Sequence, residues 1–196
     1  VVTASKEVQS AREAPAIISV VTRKEIETWG YRSVAEVLSH IAGFYVFDDH
    51  VVPNVAVRGV SGGLRGESGV LKVMVNGHSV AFRHTASNWL GPELIPLTAV
   101  DRIEVLRGPG ALLYGGSAVG GVVNVIDNRI PREPLFDDDG GVSGKLHLGV
   151  ASGNAERTGA VLLEAGTDRY ALHADMFSRS SGDVAVPVSL ACSKPG

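Results

Sequence analysis

The segment Val100-Asp101-Arg102-Ile103-Glu104-Val105-Leu106-Arg107-Gly108-Pro109 leads into Leu113-Tyr114-Gly115, then Ala118-Val119-Gly120-Gly121-Val122-Val123-Asn124-Val125-Ile126. The β-branched runs Ile103–Leu106 and Gly121–Ile126 predict two strands, with Gly-rich turns between them. Gly108-Pro109-Gly110-Ala111-Leu112-Leu113 follows a strand and resembles the opening of a dinucleotide-binding fingerprint. Leu113 stands where the third glycine belongs, and Gly115, Gly116, Gly120 and Gly121 would break the helix such a site requires. The pair of strands is therefore read as sheet without a phosphate cradle.

Upstream, Ala16–Val21 predicts a short strand. Thr22 with Glu25, and Ser33 with Glu36, each match the S/T-x-x-E capping box, so two short helices follow. Val34, Val37, Leu38 and Ile41 fall on one helical face, and Gly43 is expected as a left-handed C-cap. A DNA-binding helix pair would need a basic second helix, whereas this one carries Glu36 and His40. Further strands are predicted at Phe44–Phe47, Asn54–Arg58 and Val70–Val75, with a long loop around Trp89-Leu90-Gly91-Pro92 and Ile95-Pro96. Helices followed by short strands make an α+β arrangement rather than a βαβ repeat. Gly59-Val60-Ser61-Gly62-Gly63 spells G-x-S-x-G, but loop residues follow it where a nucleophile elbow needs a helix.

Downstream, residues 128–141 carry prolines and the acidic run Asp137-Asp138-Asp139, which suits a hinge. Beyond it the period becomes two. Val142, Gly144, Leu146, Leu148 and Val150 alternate with Ser143, Lys145, His147, Gly149 and Ala151, and two further runs follow around 159–166 and 170–176. Each is about ten residues, the length a tilted strand needs to cross a bilayer. A soluble meander gives the same alternation, and three strands cannot close a barrel.

Composition narrows the function. With 18 Lys+Arg against 21 Asp+Glu in 196 residues, the formal net charge of −3 argues against a nucleic-acid partner. The single cysteine, Cys192, excludes an internal disulfide and a Cys-based metal cluster. The six histidines have no H-E-x-x-H spacing, so no metal centre is assigned. No resident cofactor and no catalytic residues are expected.

Taken in order, Ala14–Thr22, Ser33–Leu38, Val57-Arg58-Gly59, Val75-Asn76-Gly77, Val100–Pro109, Leu113-Tyr114-Gly115 and Ala118–Ile126 resemble the plug domain of TonB-dependent outer-membrane receptors. The resemblance implies an N-terminal arm at 1–14, a plug at 15–130, a linker at 131–141 and the start of a transmembrane β-barrel at 142–196. The expected fold is an α+β plug, a small mixed sheet with short helices, followed by the first antiparallel strands of a truncated barrel. Function would be that of a non-enzymatic active transporter in a Gram-negative outer membrane, with plug and arm facing the periplasm. Its partners would be TonB with the inner-membrane energising complex, outer-membrane lipid, and a scarce nutrient such as a ferric siderophore, with haem, zinc or cobalamin as alternatives. Val1, Val2, Thr3 and Ala4 resemble the end of a TonB box, extended and β-branched as strand addition requires. Arg58 and Arg107, with Glu104 near in sequence, match plug residues that face barrel carboxylates. Arg65, Arg83, His84, Asn88 and Trp89 lie in the two loops, 61–68 and 78–89, expected to meet substrate, and His78 and His84 could serve a metal or haem iron. The family pattern departs in two places: Asn76 replaces an aspartate, and Asp127-Asn128-Arg129 replaces Thr-Lys/Arg. The competing reading is a soluble periplasmic α+β binding or signalling module, in which the arginines cap turns and the loop residues are merely solvated.

Overall fold

The computed structural model describes residues 17–48, 53–62, 69–82, 88, 90, 95–108, 111–127, 141–151, 156–166 and 171–180. The chain divides into two compact units, Val1–Pro131 and Arg132–Gly196. The arm, most of the linker and the last sixteen residues lie outside the described residues.

In the first unit, strand β1 (Ile18–Thr22) leads into α1 (Arg23–Trp29) and α2 (Val34–Ser39). Strands β2 (Phe44–Asp48), β3 (Pro53–Val57) and β4 (Val60–Ser61) form one small antiparallel sheet. Strands β5 (Leu71–Val75), β6 (His78–Ser79), β7 (Val100–Arg107) and β8 (Gly121–Asp127) join β1 in a second sheet, ordered β1-β7-β8-β5-β6. Only β5 and β8 pair in parallel, so the sheet is mixed.

Strand β7 sits between β1 and β8, and both its faces are covered. On one face Ile103 and Val105 join Val73, Val123, Val34, Val37 and Leu38 in the main core. On the other, Leu106 packs with Met74, Val122 and Ala118, with Tyr114 of the four-residue helix α3 (Ala111–Tyr114) at the margin. The glycines expected to forbid a helix here permit this single turn, which stops at Gly115, φ +84°.

The first helix start forms the full capping box and the second only half of it, since the Glu36 carboxylate accepts from Arg32 N rather than Ser33 N. Thr22 accepts from Glu25 N while Glu25 Oε2 accepts from Thr22 N at 2.8 Å, and Ser33 accepts from Glu36 N at 3.2 Å. The end of α2 differs from expectation: it closes at Ser39 with His40 as C-cap, and Gly43 is not its cap. Two tight turns, Ile41 N to Leu38 O and Phe44 N to Ile41 O, carry the chain on, and Gly43 supplies the left-handed corner before β2.

Two short strands missing from the sequence reading, β4 and β6, share one cause. Val57 pairs with Val60 and Val75 with His78, leaving the two-residue loops Arg58-Gly59 and Asn76-Gly77, each with positive φ at both positions. That is the signature of type I′ hairpin turns.

In the second unit β9 (Gly141–Ala151), β10 (Glu156–Gly166) and β11 (Ala171–Ser180) form an antiparallel meander of 11, 11 and 10 residues. Leu146 lies opposite Val161, and Val161 opposite Met176, so one face carries a row of exposed apolar side chains. No helix among the described residues is long and apolar enough to cross a membrane, which says nothing of strands.

Two predictions follow from packing and capping. A Cβ at Gly121 would stand 2.6 Å from the Leu106 carbonyl oxygen and 3.3 Å from Leu71 Cδ1, on backbone that cannot yield cheaply. Gly121→Ala is therefore expected to destabilise the chain by about 1–3 kcal/mol in urea unfolding. Backbone and hydroxyl hydrogen bonds from Thr22 hold the Glu25 carboxyl below its ordinary range. That stabilisation is present above the unfolded-state pKa and is lost as pH falls through the lowered native value. Glu25→Gln should flatten that part of the acid limb of stability against pH.

Candidate functional site

Arg58 and Arg107 reach one place from different elements. Arg58 occupies the first turn position after β3, with φ +51°, an unusual conformation for a long side chain. Arg107 ends β7. With Ile17, Ala42, Gly43, Phe44 and Val57 they line a pocket of about 230 Å³. Arg58 Nη2 donates to the Arg107 carbonyl and Arg107 Nη1 to the Ala42 carbonyl, both at 3.5 Å, the outer limit of a useful hydrogen bond. Arg107 Nε is buried without a hydrogen-bond partner. Among the described residues the ion pairs are Arg32–Glu36, Arg102–Asp101 and Arg102–Glu104, none of which involves this pair of arginines. Both arginines thus line one pocket, and these two hydrogen bonds go to backbone carbonyls.

Glu104 does not belong with them, and its grouping with the arginines is corrected. Residues three apart on a strand point to opposite faces. The Glu104 side chain is fully buried, with Arg102 Nε 3.0 Å from its Oε1. Burial works against the Arg102 cation, but hydrogen bonds from Glu104 and Asp101 outweigh it and raise its pKa. Burial, with the Glu104 charge behind it, likewise pushes the Tyr114 phenol up.

Asn88 is the second correction. It is buried, its Oδ1 accepts from Val73 N at 3.1 Å, and its Nδ2 donates to Leu71 O at 2.7 Å. Its carboxamide serves as a substitute strand edge for β5 rather than a surface for substrate. Arg65, Arg83, His84 and Trp89, like Val1, Val2, Thr3 and Ala4, lie outside the described residues. Val80 N donates to Val73 O, so the chain after β6 runs back beside β5 toward its start at Leu71. Leu71 pairs with Gly121 and Gly121 with Arg107, so the start of β5 lies at the arginine end of the sheet. His78 lies opposite Val75, about 13 Å away along the strand at ~3.3 Å per residue. Among the described residues no group of His, Cys, Asp and Glu could hold a metal ion.

At that far end the two departures from the family pattern touch. Asn76 Nδ2 donates to Asp127 Oδ1 at 2.7 Å, and Asp127 N donates to Asn76 Oδ1 at 3.1 Å. An amide at 76 suits a carboxylate at 127. The Asn76-Gly77 dipeptide was the available sequence signal for this hairpin.

Removing the Asn88 carboxamide strands a buried N–H and C=O of β5. Asn88→Ala is therefore expected to cost about 1–3 kcal/mol in chemical denaturation, and a loss below a few tenths would contradict the clamp.

Comparison with known proteins accords with this architecture. The sequence profile of the TonB-dependent receptor plug domain matches residues 10–122. The iron-regulated outer membrane virulence protein of Vibrio cholerae is 37% identical over 134 residues, 66% of this chain and 20% of that protein. The vitamin B12 transporter BtuB of Photobacterium profundum is 35% identical over 187 residues, 91% of this chain and 30% of its own length. The pyoverdine outer membrane receptor FpvA from Pseudomonas aeruginosa PAO1, solved bound to pyoverdine, aligns with a TM-score of 0.65 at 25% identity, over 84% of this chain and 21% of that chain. Residues 1–131 are about two thirds of the 196, so that alignment takes in strands of the second unit as well. The chain spans 20–30% of the length of these two relatives. A mixed sheet with few helices, the ordered motifs through Ile126 and the profile match together make this chain a member of the TonB-dependent receptor plug family, carrying the first strands of the barrel.

Proposed function

We propose that this chain is the gate, and the beginning of the wall, of an energised outer-membrane transporter for a scarce nutrient, without catalysis. The observation that carries the reading is the pair Arg58 and Arg107, held at one pocket with only long carbonyl contacts. Arg58 is exposed and Arg107 half-buried, and the planar guanidinium of each suits bidentate carboxylates. Carboxylates of the barrel wall are their proposed partners. Such an attachment is strong but electrostatic, so it can release without unpacking the core.

The outer membrane holds no ATP supply, so uphill uptake requires energy delivered from the inner membrane. TonB, pairing with Val1, Val2, Thr3 and Ala4 as an added strand, is the proposed link. This places plug and arm on the periplasmic side. The apolar row Leu146, Val161 and Met176 would meet outer-membrane lipid. Arg65, Arg83, His84 and Trp89 are the proposed nutrient contacts. Cations beside an aromatic suit an anionic chelate such as a ferric siderophore. Relatives named for iron regulation, vitamin B12 and pyoverdine support the class of cargo, and haem, zinc and cobalamin belong in the same screen.

The strained arginine supplies the test. Asparagine accepts left-handed backbone far better than arginine, so Arg58→Asn should stabilise the isolated chain by up to about 1 kcal/mol. In the complete receptor the same substitution, and Arg107→Ala, should abolish uptake of the nutrient found by binding screen. Unchanged uptake in both variants would remove the wall-pairing role.

A further inference from the structure

The turn Asn76-Gly77 is held on β8 through the atoms that would otherwise react with each other. Gly77 N donates to Asn124 Oδ1 at 2.9 Å, while Asn76 Nδ2 and Oδ1 are both engaged by Asp127. Asn76 N donates in addition to Val125 O at 2.9 Å. In an Asn-Gly pair no side chain obstructs attack of the glycine nitrogen on the asparagine side-chain carbon. Gly77 N would lose its proton and bond to Asn76 Cγ, the Cγ–Nδ2 bond would break, and ammonia would leave, giving a cyclic imide. Water would then add across either imide carbonyl and open the ring, leaving aspartate or isoaspartate. In the folded chain the attacking nitrogen's proton is committed to Asn124 and the departing amide is committed to Asp127. Both reacting ends are therefore fastened to β8 by different atoms, and the ring cannot close while β5 and β8 stay paired.

We propose that Asn76 is a covalent modification site gated by this pairing: protected while the sheet end is closed, and deamidated when it opens. The product does not fit the place it left. An amide donor 2.7 Å from the Asp127 carboxylate becomes a second carboxylate, and two like charges on one site oppose each other. Deamidation would therefore both record an opening and hinder closure. Isoaspartate adds a further obstacle, since it lengthens the backbone inside a two-residue turn.

The full chain incubated in mildly alkaline buffer, with and without urea, provides the test, with peptide mass spectrometry reading conversion at Asn76. Conversion should be at least about tenfold slower in the folded chain than in urea, because the reaction must wait for local opening. Equal rates would overturn the gating, and absence of conversion in urea would overturn the site. Asn76→Asp reproduces the aspartate product and should lower the urea midpoint at neutral pH, whereas Asn76→Asp combined with Asp127→Asn should recover it. An Asn76→Asp midpoint equal to that of the parent would overturn the block on closure.

Discussion

Strand β7 is hydrogen-bonded along both edges and covered on both faces, and the arrangement of the first unit depends on that constraint. Its edges are taken by β1 and β8. Its faces belong to different environments. Ile103 and Val105 look toward the helices, and Glu104 and Leu106 look toward α3 and the 3₁₀ turn Gly116–Ala118. A strand so enclosed cannot shift register without moving every neighbour to the wrong face. A carboxylate on it is met by Arg102, two residues away on the same face, which turns back toward it. The close approach of Gly121 to the Leu106 carbonyl belongs to the same fit.

The two ends of the five-stranded sheet differ in the hydrogen bonds they make. At the Asn76 and Asp127 end, backbone and side-chain groups bond across β5 and β8. The Arg107 end keeps two cations with weak contacts and a left-handed backbone at Arg58.

Much of the architecture was legible because short-range chemistry repeats it. The capping boxes at Thr22 and Ser33 announced both helices, and β-branched runs announced β5, β7 and β8. The Asn76-Gly77 dipeptide held a hairpin signal that the reading of its motif passed over. Arg58-Gly59 gave no comparable signal, since a bulky residue in left-handed backbone is chosen by its surroundings rather than by propensity. Gly43 was misplaced as a helix cap because a left-handed glycine looks the same in sequence whether it ends a helix or begins a strand.

Nearness in sequence misled at the site itself. Glu104 stands three residues from Arg107, yet the pleat sends them to opposite faces, and Asn88 sits in a polar loop yet turns inward to complete β5. By itself, the sequence determined the family, the α+β order, the helix starts and the alternation of the last three strands, all set by interactions within a few residues. Only tertiary structure decided which charges are spent and which remain available. That choice depends on groups 49 and 51 residues apart in the chain, Arg58 with Arg107 and Asn76 with Asp127, whose distances exist only once the sheet has closed.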